Sequence, residues 1–125
     1  AGITFAYHNH DAEFKAIDGK VPYDTMLEDT SVAMELDLCW VTKAGIDPVE
    51  LFKRHTGRFH LWHVKDIDKA MTGPQPVGTG IIDFKRLFEN ASTAGMKHFF
   101  VEHDMPADPF ASITTSMENL KKIIG

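Results

Sequence analysis

The chain has 125 residues, 43% hydrophobic and 25% charged, with a formal net charge of −5. That suffices for one domain with its own core, and it argues against a disordered segment and against a nucleic-acid binder, which would carry a basic surplus. No apolar run approaches the ~20 residues of a membrane span, and a signal peptide's charged and apolar regions are missing, so a cytoplasmic location is expected. The single cysteine, Cys39, excludes a disulfide within the chain.

The first predicted element is a strand over Ile3–His8, where β-branched and aromatic residues alternate. It runs into His8-Asn9-His10, with Asp11 and Glu13 just beyond. A short helix follows around Tyr23–Glu28, then a second strand, Val32–Asp37. The next helix opens at "DPVELFKRH", with Asp47 as N-cap, Pro48 in the first turn and Gly57 as the stop. Strand three is Phe59–His63, followed by a long loop. The Gly73–Gly80 part of that loop is either a lid over a ligand or a plain surface loop. Asp83 opens a helix carrying Phe84, Leu87, Phe88 and Ala91 at helical spacing, ended by Gly95. Strand four is His98–Glu102, and the last helix spans Pro109–Ile124 with Ile113, Met117, Leu120 and Ile124 on one face.

Strands alternating with helices predict a parallel sheet covered by helices, either doubly wound or half of a (β/α)₈ barrel. Each strand ends in a residue able to ligate a metal: His8, Asp37, His63 and Glu102. The C-terminal ends of parallel strands lie together on the face where ligands bind. Two imidazoles and two carboxylates at one rim suit Mn, Zn, Co or Fe as divalent ions. Alternation supports the set: Ala33, Glu35 and Asp37 share a face, as do Phe59, Leu61 and His63, and His98, Phe100 and Glu102. Lys65 is expected on the face opposite His63, in a structural role. Asp66 is expected to orient a ligand imidazole. Cys39 has no His-Asp pattern that would make it a nucleophile.

The segments "YHNHDAEF", "ELDLCWVTKAGIDP", "GRFHLWHVKD", "VGTGIIDF" and "VEHD" resemble the C-terminal half of the xylose isomerase-like TIM barrels. These are the sugar phosphate isomerase/epimerase proteins, related to inosose dehydratase, tagatose epimerase and family 2 AP endonucleases. The resemblance implies one partial domain over residues 1–125 that holds the last four βα units, (β/α)₄, with parallel strands and outer helices. It implies one divalent ion (Mn, Zn, Co or Mg) held by Asp37, His63 and Glu102, with His8 where many members carry Glu. It also implies a small sugar or sugar phosphate as substrate. The epimerases use two opposed glutamates as acid and base. Here Glu102 is one proton-transfer group, and its partner is His8, His10, Glu13 or a residue outside this chain. Trp40 stands where several relatives carry His and offers a flat wall to a sugar ring. Lys69 resembles a position where relatives place a cation that grips substrate.

The function this implies is a metal-dependent sugar isomerase or epimerase, which removes a proton beside a carbonyl polarised by the metal. A lyase or dehydratase of the same fold is the alternative, and a non-catalytic sugar-binding or scaffold remnant is a further one. An abasic-site endonuclease is disfavoured by the negative charge, and no nucleic-acid or membrane partner is expected. Half a barrel leaves two sheet edges open. The expected partner is therefore a second copy of the chain or a missing N-terminal half.

Overall fold

A computed structural model describes residues 2–125; Ala1, the first residue of the expected domain, lies outside them. Four strands form a parallel sheet in the order β1 (Ala6–His8), β2 (Ala33–Asp37), β3 (Leu61–Val64) and β6 (His98–Val101). Between and after them run the helices α1 (Pro22–Asp29), α2 (Leu38–Lys43), α3 (Pro48–Arg54), α4 (Phe84–Glu89), α5 (Ala91–Ala94) and α6 (Pro109–Ile124). Two short antiparallel strands, β4 (Asp66–Ile67) and β5 (Pro74–Gln75), brace the loop after β3. Among the described residues no helix is long and apolar enough to cross a membrane.

The helix starts follow local chemistry. Asp47, Asp83 and Asp108 each accept a backbone N–H from the first turn of the helix they open, at 3.0 Å, and Pro48 and Pro109 occupy first-turn positions where no N–H is needed. Helix α2, which the sequence pattern did not predict, follows β2 without a loop. Asp37 ends the strand and caps the helix, accepting from Trp40 N at 3.0 Å.

The sheet has two unlike faces. Tyr7, Met34, Leu36, Trp62, Val64, Phe99 and Val101 point toward the helices and join the core. Trp62 stacks on Phe52 at 5.1 Å and meets Phe88 edge-on at 5.4 Å. The other face carries His8, Glu35, Asp37, His63 and Phe100, and registers Asp37 beside His63.

Three expectations change, and one open alternative narrows. Strand one begins at Ala6 rather than Ile3, because the pairing starts where Ala6 meets Ala33, the first residue of β2. Phe59 does not share the inner face with His63. It precedes β3, its N–H bonds to Ala94 O at 2.9 Å, and its ring packs on Phe52 in the core. The buried stripe of α6 is Ser112, Ser116 and Leu120, while Ile113, Met117 and Ile124 are each about 40% exposed. The small serines fit there because their hydroxyls meet His103 Nδ1 at 2.7 Å and Val77 N at 3.0 Å. Finally, the loop that includes Gly73–Gly80 is pinned rather than poised as a lid. The buried Asp66 carboxylate accepts backbone N–H groups from Ile67, Gly78, Gly80 and Ile82 at 2.9–3.0 Å. A Cβ at Gly80 would lie 2.1 Å from Ile67 O, so only glycine fits.

Candidate functional site

The site is built on the C-terminal ends of β1, β2, β3 and β6. Its first piece answers what the His8-Asn9-His10 segment does. Asn9 is fully buried, and its side-chain oxygen accepts Asp37 N at 3.0 Å, which ties the end of β1 to the end of β2. His8, just before it, places Nε2 3.1 Å from Asp37 Oδ2 and stacks on His63 at 4.1 Å. His10, just after, is exposed, edge-on to His8 at 5.1 Å and 5.8 Å from the Trp40 ring. The hydrogen bond to Asp37 raises the His8 pKa above its ordinary value, against the opposing effect of burial.

His63 is the centre of the cluster. Its Nε2 lies 2.7 Å from Glu35 Oε1. Its Nδ1 is buried, 3.9 Å from Asp37 Oδ2 and in contact with Glu102 Oε2, but has no hydrogen-bond partner. Glu35 was not singled out in the sequence. Its signal was the alternation that puts it on the face of Asp37, two residues earlier in β2. One potential ligand atom from each of His8, Asp37 and His63 lies within 4.8 Å of the others. Glu102 is not one of these three, and it borders them through its contact with His63.

Lys65 corrects an expectation. It does not face away from His63, because residues two apart on an extended chain share a face. Its side chain is buried, with Nζ 2.9 Å from Asp37 Oδ2, 3.0 Å from Glu102 Oε1 and 2.7 Å from Asp104 Oδ2. Burial alone would lower its pKa, but these carboxylates more than offset that and raise it. Lys65 in turn holds the Asp104 carboxyl below its ordinary pKa, against burial.

The remaining expected residues lie around or away from the cluster. Trp40 stands at its mouth, with Lys65 Nζ 5.4 Å and Lys43 Nζ 4.8 Å from its ring. Glu13 points back into its own turn, accepting Tyr7 OH at 2.9 Å and His10 N at 3.1 Å. Asp66 does not touch an imidazole, since its two oxygens hold the loop described above. Lys69 sits in an exposed turn after β4, outside the cluster. Cys39 is buried, and burial pushes its thiol up to about 12, so the group is inert at neutral pH.

The donor chemistry fits a divalent cation. A Glu35 carboxylate on Nε2 favours the tautomer with the proton there, leaving a lone pair on Nδ1. A lone pair facing two carboxylates is repulsive unless a proton or a metal cation lies between them.

No protein-family model matches the chain. An inosose dehydratase from Geobacillus thermodenitrificans (strain NG80-2) is 26% identical over 148 aligned positions, which take in 99% of this chain and 49% of that protein. A sugar phosphate isomerase/epimerase structure from Parabacteroides distasonis ATCC 8503 superposes with a TM-score of 0.79 at 31% identity, over 94% of this chain and 45% of its own. Another from the same organism gives 0.82 at 27% identity, over 96% and 45%. The chain thus spans about half the length of the relatives it matches, as half of a barrel would. It is a homologue of inosose dehydratase and of the sugar phosphate isomerase/epimerase structures, with the parallel α/β architecture of the xylose isomerase-like barrels.

Proposed function

We propose that this chain carries the metal-binding and proton-transfer half of a sugar or sugar-phosphate isomerase or epimerase. The observation that carries this reading is His63, held by Glu35 on one nitrogen and turned with the other, unpartnered, toward Asp37 and Glu102. His8, Asp37, His63 and Glu102 would hold the ion. When bound, it supplies Lewis acidity to a carbonyl whose neighbouring carbon must lose a proton.

The chain's own groups do the rest. Trp40 gives a flat apolar wall beside the cluster for a sugar ring. His10, exposed at the mouth, and Glu102, at the end of β6, are the groups placed to carry a proton to and from solvent. The wall opposite the sheet belongs to a complementary half-barrel. Four parallel strands leave β1 and β6 with open edges that such a half would pair.

Dehydration is the second reading, favoured by the inosose dehydratase relative. It shares the first step, loss of the proton beside a carbonyl, and then expels a hydroxyl.

The test is a Mn²⁺ titration of the chain and of His63→Ala, followed by ²H exchange from solvent into a sugar C–H. One bound ion in the parent chain and none in the variant supports the site. Exchange without water loss supports isomerisation, and exchange with water loss supports dehydration. No uptake of metal by the parent chain removes the proposal.

A further inference from the structure

Lys65 is only 1% exposed, and its ammonium meets carboxylates from three places: Asp37 at the end of β2, Glu102 just after β6, and Asp104 in the following loop. An ammonium has three N–H donors. All three have a carboxylate oxygen within 3.0 Å, so the group is fully coordinated by acceptors as a cation in a tripod. Two of those carboxylates also belong to the metal set. Glu102 divides its oxygens, Oε1 toward Lys65 and Oε2 toward His63. Asp37 Oδ2 is shared by Lys65 and His8.

We propose that Lys65 is a resident second cation, occupying the place where a second divalent ion would bridge Asp37, Glu102 and Asp104, and thereby limiting the site to one metal. The inference rests on the metal reading above. Its physical content is charge balance at close quarters. Asp37, Glu102 and Asp104 surround one ammonium and Glu35 lies against His63 beside them, so the cluster has a surplus of negative charge that one divalent ion largely cancels. Replace the ammonium by a neutral chain of similar length and three carboxylates face each other with no cation between them. Such a group either takes up protons or binds an ion. Lys65 is therefore a positioning residue: it holds Asp37 and Glu102 at their present separation without needing to touch substrate.

The experiment counts bound Mn²⁺ by electron paramagnetic resonance in the full chain, in Lys65→Met and in Asp104→Asn. One ion in the parent chain and two in Lys65→Met is the expected result, with melting of Lys65→Met raised by Mn²⁺ more than melting of the parent. Asp104→Asn leaves the ammonium leaning on Asp37 and Glu102 alone, so the parent's single Mn²⁺ should bind about tenfold more weakly. That arm decides the matter if Lys65→Met does not fold. One ion at unchanged affinity in all three proteins overturns the inference and leaves the metal reading standing. No ion in the parent but one in Lys65→Met overturns both the metal reading and the inference, because Lys65 would then fill the one place an ion can take. No ion in any of them overturns both.

Discussion

The two faces of one sheet, a few ångströms apart, follow opposite rules. Toward the helices, Met34, Leu36, Trp62 and Val64 are sealed among aromatic and aliphatic side chains. The open side gathers two histidines, four carboxylates and a lysine at its rim, beside Phe100. Adjacent residues can therefore differ completely in what they do. Trp62 stabilises the fold, while His63 belongs to a cluster of like and opposite charges that a stable fold would not gather without another purpose.

Replacing the two neighbours tests that contrast most strongly. Trp62→Ala removes a fully buried ring that stacks on Phe52 and meets Phe88 edge-on, and should cost about 3–5 kcal/mol in urea unfolding. His63→Ala should cost about 1 kcal/mol, the worth of its hydrogen bond to Glu35, while abolishing Mn²⁺ binding. Equal losses of stability would erase the distinction between the faces. Next in size is Asp66→Ala, which leaves four backbone N–H groups without their acceptor. About 3 kcal/mol of destabilisation is expected, with faster amide exchange confined to Ile67 and residues 78–82.

A smaller effect concerns Cys39, on the helix that links the two faces. Its folded pKa of about 12 lies above the ordinary 9.0, so the fold favours the neutral thiol. The associated stability is complete below pH 9 and is lost as pH rises toward about 12. Iodoacetamide at pH 8.5 should label Cys39 only after unfolding, and rapid labelling of the native chain would contradict its burial. The smallest effect is expected at the exposed Asp47–Arg86 pair, 2.7 Å apart. Arg86 holds the Asp47 carboxyl below its ordinary value of 3.8, so the contribution is present above that pH and fades as pH falls through the lowered one. Arg86→Ala should shift melting slightly at low salt and not at all at high salt.

The alternation of strands and helices was legible because Asp47, Asp83, Asp108 and the prolines beside two of them mark helix starts by local hydrogen bonding alone. The convergence of His8, Asp37 and His63 was legible too, since parallel strands deliver their ends to one rim. What stayed hidden depends on pairs distant in sequence. Asn9 holding Asp37 and Asp66 holding Gly78, Gly80 and Ile82 join segments whose partnership no period encodes. Helix α2 was hidden because its cap, Asp37, already reads as the end of a strand. Glu35 and Lys65 were within reach, since counting by two from Asp37 and from His63 places each on the inner face.

The central claim is that these strand ends gather around one divalent ion, and anomalous diffraction at the manganese edge from crystals grown with Mn²⁺ tests it directly. The account predicts a single peak in contact with His63 Nδ1 and carboxylate oxygens of Asp37 and Glu102. A map with no peak there, and His63 Nδ1 still facing those carboxylates, would contradict it.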